Sequence, residues 1–299
     1  MWGFRTHKFT LRQKETLTAW IFILPVLVGY SIFTFGAIIY SFCISLTKWD
    51  LLSSPEFIGL GNYIKVFKDP EFYNCMGNTL FFVIFLVPIV LVISMSLAIA
   101  INRCIGKVGK FYKISFFMPC VTATIAVSMV WLCIFNPDNG IINSILYSFG
   151  VKNPPNWLES TFWAKPSLIF MRIWQMSGYY MIMFLTGLQT IPKTLYEAAK
   201  VDGATKWKRI KYITIPMLSN TTFFVLIMLI IESFNMFESI YVMTEGGPAG
   251  STNTIMYYIY TSGFSFYKMG YASSLAWIFF AILFVFTLIR FKTREDKTN

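Results

Sequence analysis

The chain has 299 residues, of which 56% are hydrophobic and only 13% are charged. Soluble domains carry about 25% charged residues, so this composition argues against a water-soluble fold. The net charge of +11 could suggest a nucleic-acid-binding protein. However, the basic residues lie in short loops between apolar runs, as the positive-inside bias of membrane proteins predicts. We therefore expect contact with a lipid bilayer and no binding of nucleic acid.

Six apolar runs are each long enough to cross a bilayer, which takes about 20 mostly apolar residues. They cover residues 18–46, 76–101, 114–136, 166–190, 218–242 and 271–291. The runs are apolar on every side, which favours helices over the alternating strands of a barrel. The first run is too long for the apolar region of a signal peptide. The sequence thus predicts an all-α membrane protein with six transmembrane helices, the first of them retained.

Lysine and arginine outside these runs predict the orientation of the chain. Eighteen lie in the two termini and in the second and fourth loops, with Arg290 at the end of the sixth run counted in the C-terminal tail, whereas six lie in the loops between them. Because cytoplasmic loops carry the excess of basic residues, we expect both termini to be cytoplasmic. The expected division is a cytoplasmic tail at 1–17, one transmembrane domain at 18–291 and a cytoplasmic tail at 292–299.

The longest loop on the predicted cytoplasmic side, residues 191–217, has the pattern of a short helix followed by a turn. Pro192 suits a helix start, residues 193–201 favour a helix, and Gly203 can adopt the left-handed conformation that ends one. The small side chains of Ala198 and Ala199 would let this helix enter a cleft on another protein. An amphipathic helix at the membrane surface is the alternative, and these features alone leave both open.

The same loop resembles the EAA signature of binding-protein-dependent ABC importer permeases. The matching residues are Glu197, Ala198, Ala199, Gly203, Ile213, Ile215 and Pro216. Ile215 stands where leucine is more usual. The resemblance implies the type I importer permease fold and a coupling helix that docks into an ATPase subunit. It assigns that coupling role to Glu197, Ala198, Ala199, Asp202 and Gly203.

Other segments are similar to the maltose and multiple-sugar branch of that family. They are residues 57–63, 78–80 and 237–244, together with Gly246-Gly247-Pro248; Glu238 stands where that branch usually has aspartate. The resemblance implies a sugar importer in a prokaryotic plasma membrane, with a second related permease, two ATP-binding subunits and an external substrate-binding protein. Gly246, Gly247 and Pro248 are candidates for docking that binding protein.

Residues needed for several other functions are missing from the sequence. The sequence has no phosphate-binding G-x-x-x-x-G-K-[ST] motif, so we expect the chain to bind no cofactor and the partner ATPase subunits to use the ATP and Mg. His7 is the sole histidine, and the cysteines lack metal-ligand spacing, so we expect no metal site and no catalytic site. A competing hypothesis is an ion- or proton-coupled secondary transporter that uses Glu232 or Glu238, although no inverted repeat is evident.

Three ionisable residues lie within the predicted spans, namely Arg172, Glu232 and Glu238. Such residues usually face a partner or a water-filled cavity. Helical spacing joins two of them to polar neighbours in groups that predict a substrate path, the first being Arg172, Gln175 and Tyr179 and the second Glu232, Asn235 and Ser239. The alternative is a structural ion pair between Arg172 and Glu238. We expect Glu232 to line the path and Glu238 to stabilise the outer half of the fifth span. A single cation favours a neutral oligosaccharide.

Overall fold

The computed structural model describes residues 10–104 and 106–298, which are almost entirely helical. The first nine residues of the predicted N-terminal tail, including His7, lie outside these ranges. The first span is a continuous helix built from α1 (Leu11–Gly29), a π-helical segment (Tyr30–Gly36) and α2 (Ala37–Ser45). It starts seven residues before the predicted apolar run, so the basic N-terminal flank is itself partly helical.

A short connection follows the first span. It contains the two-stranded antiparallel pair β1 (Thr47–Lys48) and β2 (Glu56–Phe57), then α3 (Gly61–Lys68). The side-chain amide of Asn62 donates to the backbone oxygens of Ser45 and Thr47 at 2.9 and 2.8 Å. This buried amide therefore fixes the end of the first span against α3.

The core forms where α4 (Pro70–Ile101) packs against α8 (Ala164–Gln189) and α12 (Ser219–Phe234), with α15 (Met269–Thr298) beside them. Its largest buried side chains include Leu86, Tyr180, Phe184, Leu229 and Leu275. Helix α8 contacts both α4 and α12 and has the largest buried share of the long helices, so it lies at the centre of the bundle.

The third predicted span is not one straight helix. Residues 114–136 are divided between α5 (Gly106–Val121) and α6 (Thr124–Ile134), whose axes differ by 97°. Pro119 lacks a donor in the last turn of α5, and Ala123 leaves helical dihedral angles with ψ 132°. The prediction of a continuous span was wrong here because hydropathy does not register such a break. A further helix, α7 (Ile141–Ser148), follows.

The fifth predicted span is also interrupted. Helix α12 ends at Phe234 and α13 (Glu238–Met243) begins after a three-residue break. The Asn235 side chain donates to the Ile231 carbonyl at 2.9 Å, and the hydroxyl of Thr254 donates to the carbonyl of Met236 at 3.0 Å. The first bond goes to the carbonyl that also accepts the Asn235 N–H, and the second comes from a residue 18 positions later, so side-chain donors supply hydrogen bonds where the helix breaks. The prediction that Glu232, Asn235 and Ser239 share one continuous helical face was therefore wrong.

The remaining segments are short. The loop between α8 and α12 forms α9 (Lys193–Val201), α10 (Lys206–Arg209), a π-helical turn (Ile210–Thr214) and α11 (Ile215–Met217); α14 (Ile255–Tyr260) and another π-helical turn (Thr261–Ser265) precede α15. The described part of the chain has five helices able to cross a membrane by length and composition, or six if α5 and α6 form one broken span.

Candidate functional site

A chain of polar contacts links α6, α8 and α12 inside the bundle. The Arg172 guanidinium donates through Nη1 to Oε1 of Gln175 at 2.8 Å and through Nη2 to Oε1 of Glu232 at 3.1 Å. Gln175 Nε2 donates to the hydroxyl of Thr124 at 3.3 Å, and the Tyr180 hydroxyl donates to Oε2 of Glu232 at 2.6 Å. Each carboxylate oxygen of Glu232 thus has one donor within the chain.

Helix α8 carries most of this network because its residues 172, 175 and 180 share one face at helical spacing. The approach of α5 to α8 depends on Gly178, where an added Cβ would overlap the backbone carbonyl of Phe116. The break after α5 then places Thr124 at the start of α6, within reach of Gln175. Irregular backbone at membrane depth is tolerated where it borders protein or a cavity, and both helix breaks border this site.

Two neighbouring cavities of about 290 and 330 Å³ open on this network. Both are lined by Thr124, Arg172 and Glu232, so they meet at the ion pair. The first cavity also reaches Gln175 and Tyr179, and the second reaches Asn235 and Ser239. The structure thus brings together all six residues predicted for the path, across two interrupted helices rather than along continuous faces. Their role in transport remains a prediction.

The predicted alternative of an ion pair between Arg172 and Glu238 was wrong, because Arg172 pairs with Glu232. Glu238 is exposed in the first turn of α13 and lines the second cavity. Its depth along the chain matched that of Arg172, but the break at residues 235–237 separates it from the helix that carries Glu232. Arg172 is only 7% exposed, so its charge depends on the carboxylate of Glu232 for compensation.

The arrangement suits a neutral ligand that is rich in hydroxyl groups. The positive charge of Arg172 is balanced by Glu232, while the buried atoms Nε of Arg172 and Oγ of Ser239 have no hydrogen-bond partner in the described structure. Hydroxyl groups can both donate and accept, so they fit a site with carboxylate, amide and guanidinium groups. Tyr179 adds an exposed aromatic ring. Within the described residues, no group of three or more His, Cys, Asp or Glu side chains could hold a metal ion.

Sequence reasoning missed Thr124 and Tyr180. Tyr180 lies eight residues after Arg172, so extending the helical spacing by one position would have found it. Thr124 offered no local signal, because its place in the site depends on the bend between α5 and α6. The pairing of Glu232 with residues fifty to sixty positions earlier likewise depends on how α8 packs against α12.

The predicted coupling helix, α9, ends in the left-handed conformation that Gly203 predicted. Gly203 has φ +71°; its N–H donates to the carbonyl of Lys200 at 3.1 Å, and the Ala204 N–H donates to that of Ala199 at 2.8 Å. This pair of hydrogen bonds is the Schellman motif. Pro192 precedes α9 rather than occupying its first turn, one position from the prediction. Glu197, Ala198, Asp202 and Gly203 are exposed and Ala199 is half-buried. The helix therefore presents its signature residues outward.

The predicted docking segment forms a well-braced turn at the other end of the bundle. The Thr252 hydroxyl donates to the Gly247 carbonyl at 2.7 Å, and the Asn78 amide donates to the carbonyl of Gly250 at 2.9 Å. Gly246 is buried with φ +79°, a conformation that favours glycine. Gly247 and Pro248 line an outward cavity of about 430 Å³. The turn is thus held to α4 at the surface of the bundle.

A half-buried carboxylate also ties the start of α4 to the segments before and within α15. Asp69 accepts hydrogen bonds from the hydroxyls of Tyr258, at 2.5 Å, and of Tyr271. Burial works against ionisation of Asp69, but these hydrogen bonds outweigh it and lower the pKa of the carboxyl below its usual value. Burial and the bond to Asp69 raise the pKa of Tyr258 to about 12. Neutral tyrosines facing an ionised aspartate thus form the stable state of this contact at neutral pH.

Several long apolar helices, two of them interrupted beside a polar cavity, indicate a multi-pass membrane protein. A family model for the inner membrane component of binding-protein-dependent transport systems matches residues 78–294. The chain belongs to this family.

Curated relatives cover nearly the whole chain. The lactose transport system permease protein LacF of Rhizobium radiobacter is 31% identical over 98% of this chain and 99% of its own length. The arabinooligosaccharides transport system permease protein AraP of Bacillus subtilis is 31% identical over 94% of this chain and 90% of its own. The trehalose/maltose transport system permease protein MalF of Thermococcus litoralis is 31% identical over 94% and 95%. All three are transport permeases.

Solved structures show the same fold. A chain of a bacterial ABC transporter involved in the import of the acidic polysaccharide alginate superposes with a TM-score of 0.83 at 22% identity, covering 96% of this chain and 98% of its own. A chain of the alginate transporter in complex with a pentasaccharide-bound periplasmic protein gives 0.83 at 23% identity, covering 93% of each. The architecture is thus that of an importer permease over almost its full length.

Proposed function

We propose that this chain is the membrane-spanning permease subunit of an ATP-driven importer that takes up a neutral oligosaccharide or related sugar. The observation that carries the proposal is the pair of cavities that meet at Arg172 and Glu232, where a compensated charge is surrounded by hydroxyl, amide and aromatic groups. The names of the relatives, which include lactose, arabinooligosaccharides and trehalose/maltose permeases, support sugar as the substrate class.

In the proposed mechanism, the path is exposed to one side of the membrane at a time. An external binding protein delivers the sugar at the outer surface around Gly246, Gly247 and Pro248. Two separate ATPase subunits bind ATP and Mg. They contact α9 through Glu197, Ala198, Ala199, Asp202 and Gly203. Motion of α9 reaches the site because α9 is joined to α8 by three residues, and α8 carries Arg172, Gln175 and Tyr179.

The proposed assembly places this chain beside a second related permease in a prokaryotic plasma membrane. The distribution of basic residues supports six spans with both termini cytoplasmic, the bent pair α5 and α6 counting as one span. The proposed division remains a tail at 1–17, the permease domain at 18–291, with the coupling loop at 191–217, and a tail at 292–299.

Uptake measurements in cells that express the complete transporter test this function. Labelled lactose, maltose, trehalose and arabino-oligosaccharides serve as probes, and Gln175→Ala and Asn235→Ala are compared with an exposed variant outside the site, Asn139→Ala. We expect both site variants to raise the KM for the transported sugar several-fold and the control to leave it unchanged. Uptake should persist when the proton gradient is collapsed while ATP is maintained. Loss of uptake on collapse alone would instead support a proton-coupled secondary transporter.

The orientation has its own test, which does not depend on the substrate. Single cysteines are placed at Asn139 and Lys208 in a chain whose five native cysteines are replaced, and intact cells are treated with a membrane-impermeant thiol reagent. We expect labelling at position 139 and none at position 208 until the membrane is opened. Labelling at position 208 in intact cells contradicts the orientation while leaving the family unaffected.

A further inference from the structure

A cavity of about 320 Å³ lies at one end of α4 and α8, beside the coupling segment. Four cationic side chains line it: Arg103 from the turn after α4, Lys200 from α9, and Lys206 and Arg209 from α10. We call it the basic cavity. It joins the end of α4 to the end of α8 and the loop that follows α8, and it lies at the far end of α8 from the Arg172 site.

The charges of the basic cavity have no counterpart within the described chain. None of the described residues that line it carries a carboxylate. The ion pair between Arg172 and Glu232 lies elsewhere, and none of the four cations forms one among the residues that the structure describes. The Nε atom of Arg209 is shielded from solvent and has no hydrogen-bond partner there. Four like charges around one cavity repel one another, and a bound anion would relieve that repulsion.

The surroundings of the cavity indicate which anion it accepts. Ile99 of α4 and Leu188 of α8 line the same cavity, at the ends of two membrane-spanning helices. The site therefore lies where hydrocarbon meets the headgroup layer, and basic pockets between spans at that level suit anionic lipid headgroups. Arginine presents a fork of donors that matches phosphate oxygens, while lysine adds a mobile point charge.

We infer that the basic cavity binds the phosphate of an anionic phospholipid from the leaflet on the side of the coupling segment. The bound headgroup neutralises Arg103, Lys200, Lys206 and Arg209 and ties the end of α4 to α9 and α10. The position of the coupling helix then depends on the lipid as well as on the protein. This inference does not depend on which substrate the permease transports.

The test uses the assembled transporter in nanodiscs of phosphatidylcholine with or without phosphatidylglycerol. Native mass spectrometry after mild delipidation measures the phosphatidylglycerol that each variant retains. The test variants are Arg103→Gln with Arg209→Gln, and separately Lys200→Gln with Lys206→Gln, whose lysines are exposed. The matched control is Lys193→Gln with Lys208→Gln, which removes two exposed lysines of the same loop outside the cavity.

We expect each test pair to lower retention of phosphatidylglycerol on the order of tenfold, while the control retains it like the unmodified protein. Added inorganic phosphate should not displace the lipid; displacement, with no preference for phosphatidylglycerol over phosphatidylcholine, would identify a free-anion site and overturn the proposal. Equal retention in all variants also overturns it. If the test pairs lose the ATPase subunits but keep the lipid, the cations serve a protein partner instead.

Discussion

The first span and α8 are both membrane helices, yet they are built on opposite principles. The apolar stretch of the first span is strongly apolar, yet none of its described side chains is buried inside the chain. In α8, 67% of the corresponding stretch is buried, and it is the least apolar of the five. Its buried residues include Arg172, Gln175 and Ser177.

The two helices differ because they have different surroundings. A helix that faces lipid or another subunit can be apolar on all sides, whereas the centre of a bundle is where polar groups find partners. The first span touches the rest of the chain mainly through α2, where Phe42 packs edge-to-face on Trp277 at 5.1 Å. We infer that the chain completes its own contacts around α8 and leaves the surface of α1 for lipid or a partner.

The two helices should differ most in how much the replacement of a glycine by alanine changes stability. Gly178→Ala in α8 forces a methyl group into the backbone of Phe116, and neither helix can yield without opening the core. We expect a loss of about 3 kcal/mol or more, at or beyond the usual cost of overpacking. Gly29→Ala in the first span meets nothing within 4 Å and should gain up to about 1 kcal/mol from helix propensity. Thermal unfolding of the purified complex measures both, and equal melting temperatures would show that α5 and α8 are not in contact.

The next effect concerns the ion pair that α8 makes with α12. Arg172→Gln leaves the carboxylate of Glu232 with one donor and should lower stability by about 2 kcal/mol, less than for a fully buried pair because Glu232 is partly exposed. Glu232→Gln keeps an acceptor for Tyr180 but leaves the buried charge of Arg172 uncompensated, so it should cost at least as much. The double variant should fall short of the sum by about 1 kcal/mol. Additive losses would show that the two side chains do not interact.

Glu238→Gln is the matched control for that cycle. Its carboxylate is exposed and does not pair with Arg172, so we now expect a change within about 0.5 kcal/mol, in contrast to the stabilising role that its position in the sequence suggested. A loss as large as that of Arg172→Gln would restore the sequence-based interpretation.

These cases show how far the sequence alone could go. Hydropathy located the long helices, because lipid imposes an unbroken apolar stretch of known length. The glycine that ends α9 was also predictable, since its requirement is local and Gly203 meets it. The bends at residues 122–123 and 235–237 were not, although they decide where Thr124 and Asn235 lie. Whether Arg172 pairs with Glu232 or Glu238 depends on the packing of α8 against α12, which no local pattern contains.

A smaller effect is expected at Asp69, which lies outside both the first span and α8. The pKa of its carboxyl is lower in the folded protein than in the unfolded chain. Its contribution is therefore present above the unfolded pKa of about 4 and is lost as the pH falls through the lower folded value. Asp69→Asn should cost about 1 kcal/mol at neutral pH and remove this acid dependence. Melting curves at pH 7 and below pH 4 measure both, and the same acid dependence in both proteins would contradict the assignment.

The smallest effect on stability is expected at Gly203. It lies on a surface that, like that of the first span, is not covered by the rest of the chain. Gly203→Ala strains a residue at φ +71° by about 1–2 kcal/mol, but an added Cβ meets no atom within 4 Å. Because α9 is exposed, it can open locally without melting the bundle, so the unfolding temperature should hardly change. Gly59→Ala is the matched control, with φ +58° and equally free surroundings in the loop before α3. We expect Gly203→Ala, and the exposed Glu197→Lys, to weaken co-purification of the ATPase subunits and slow transport, while Gly59→Ala affects neither. Normal transport and a normal complement of ATPase in both coupling variants would show that α9 does not carry the coupling contact.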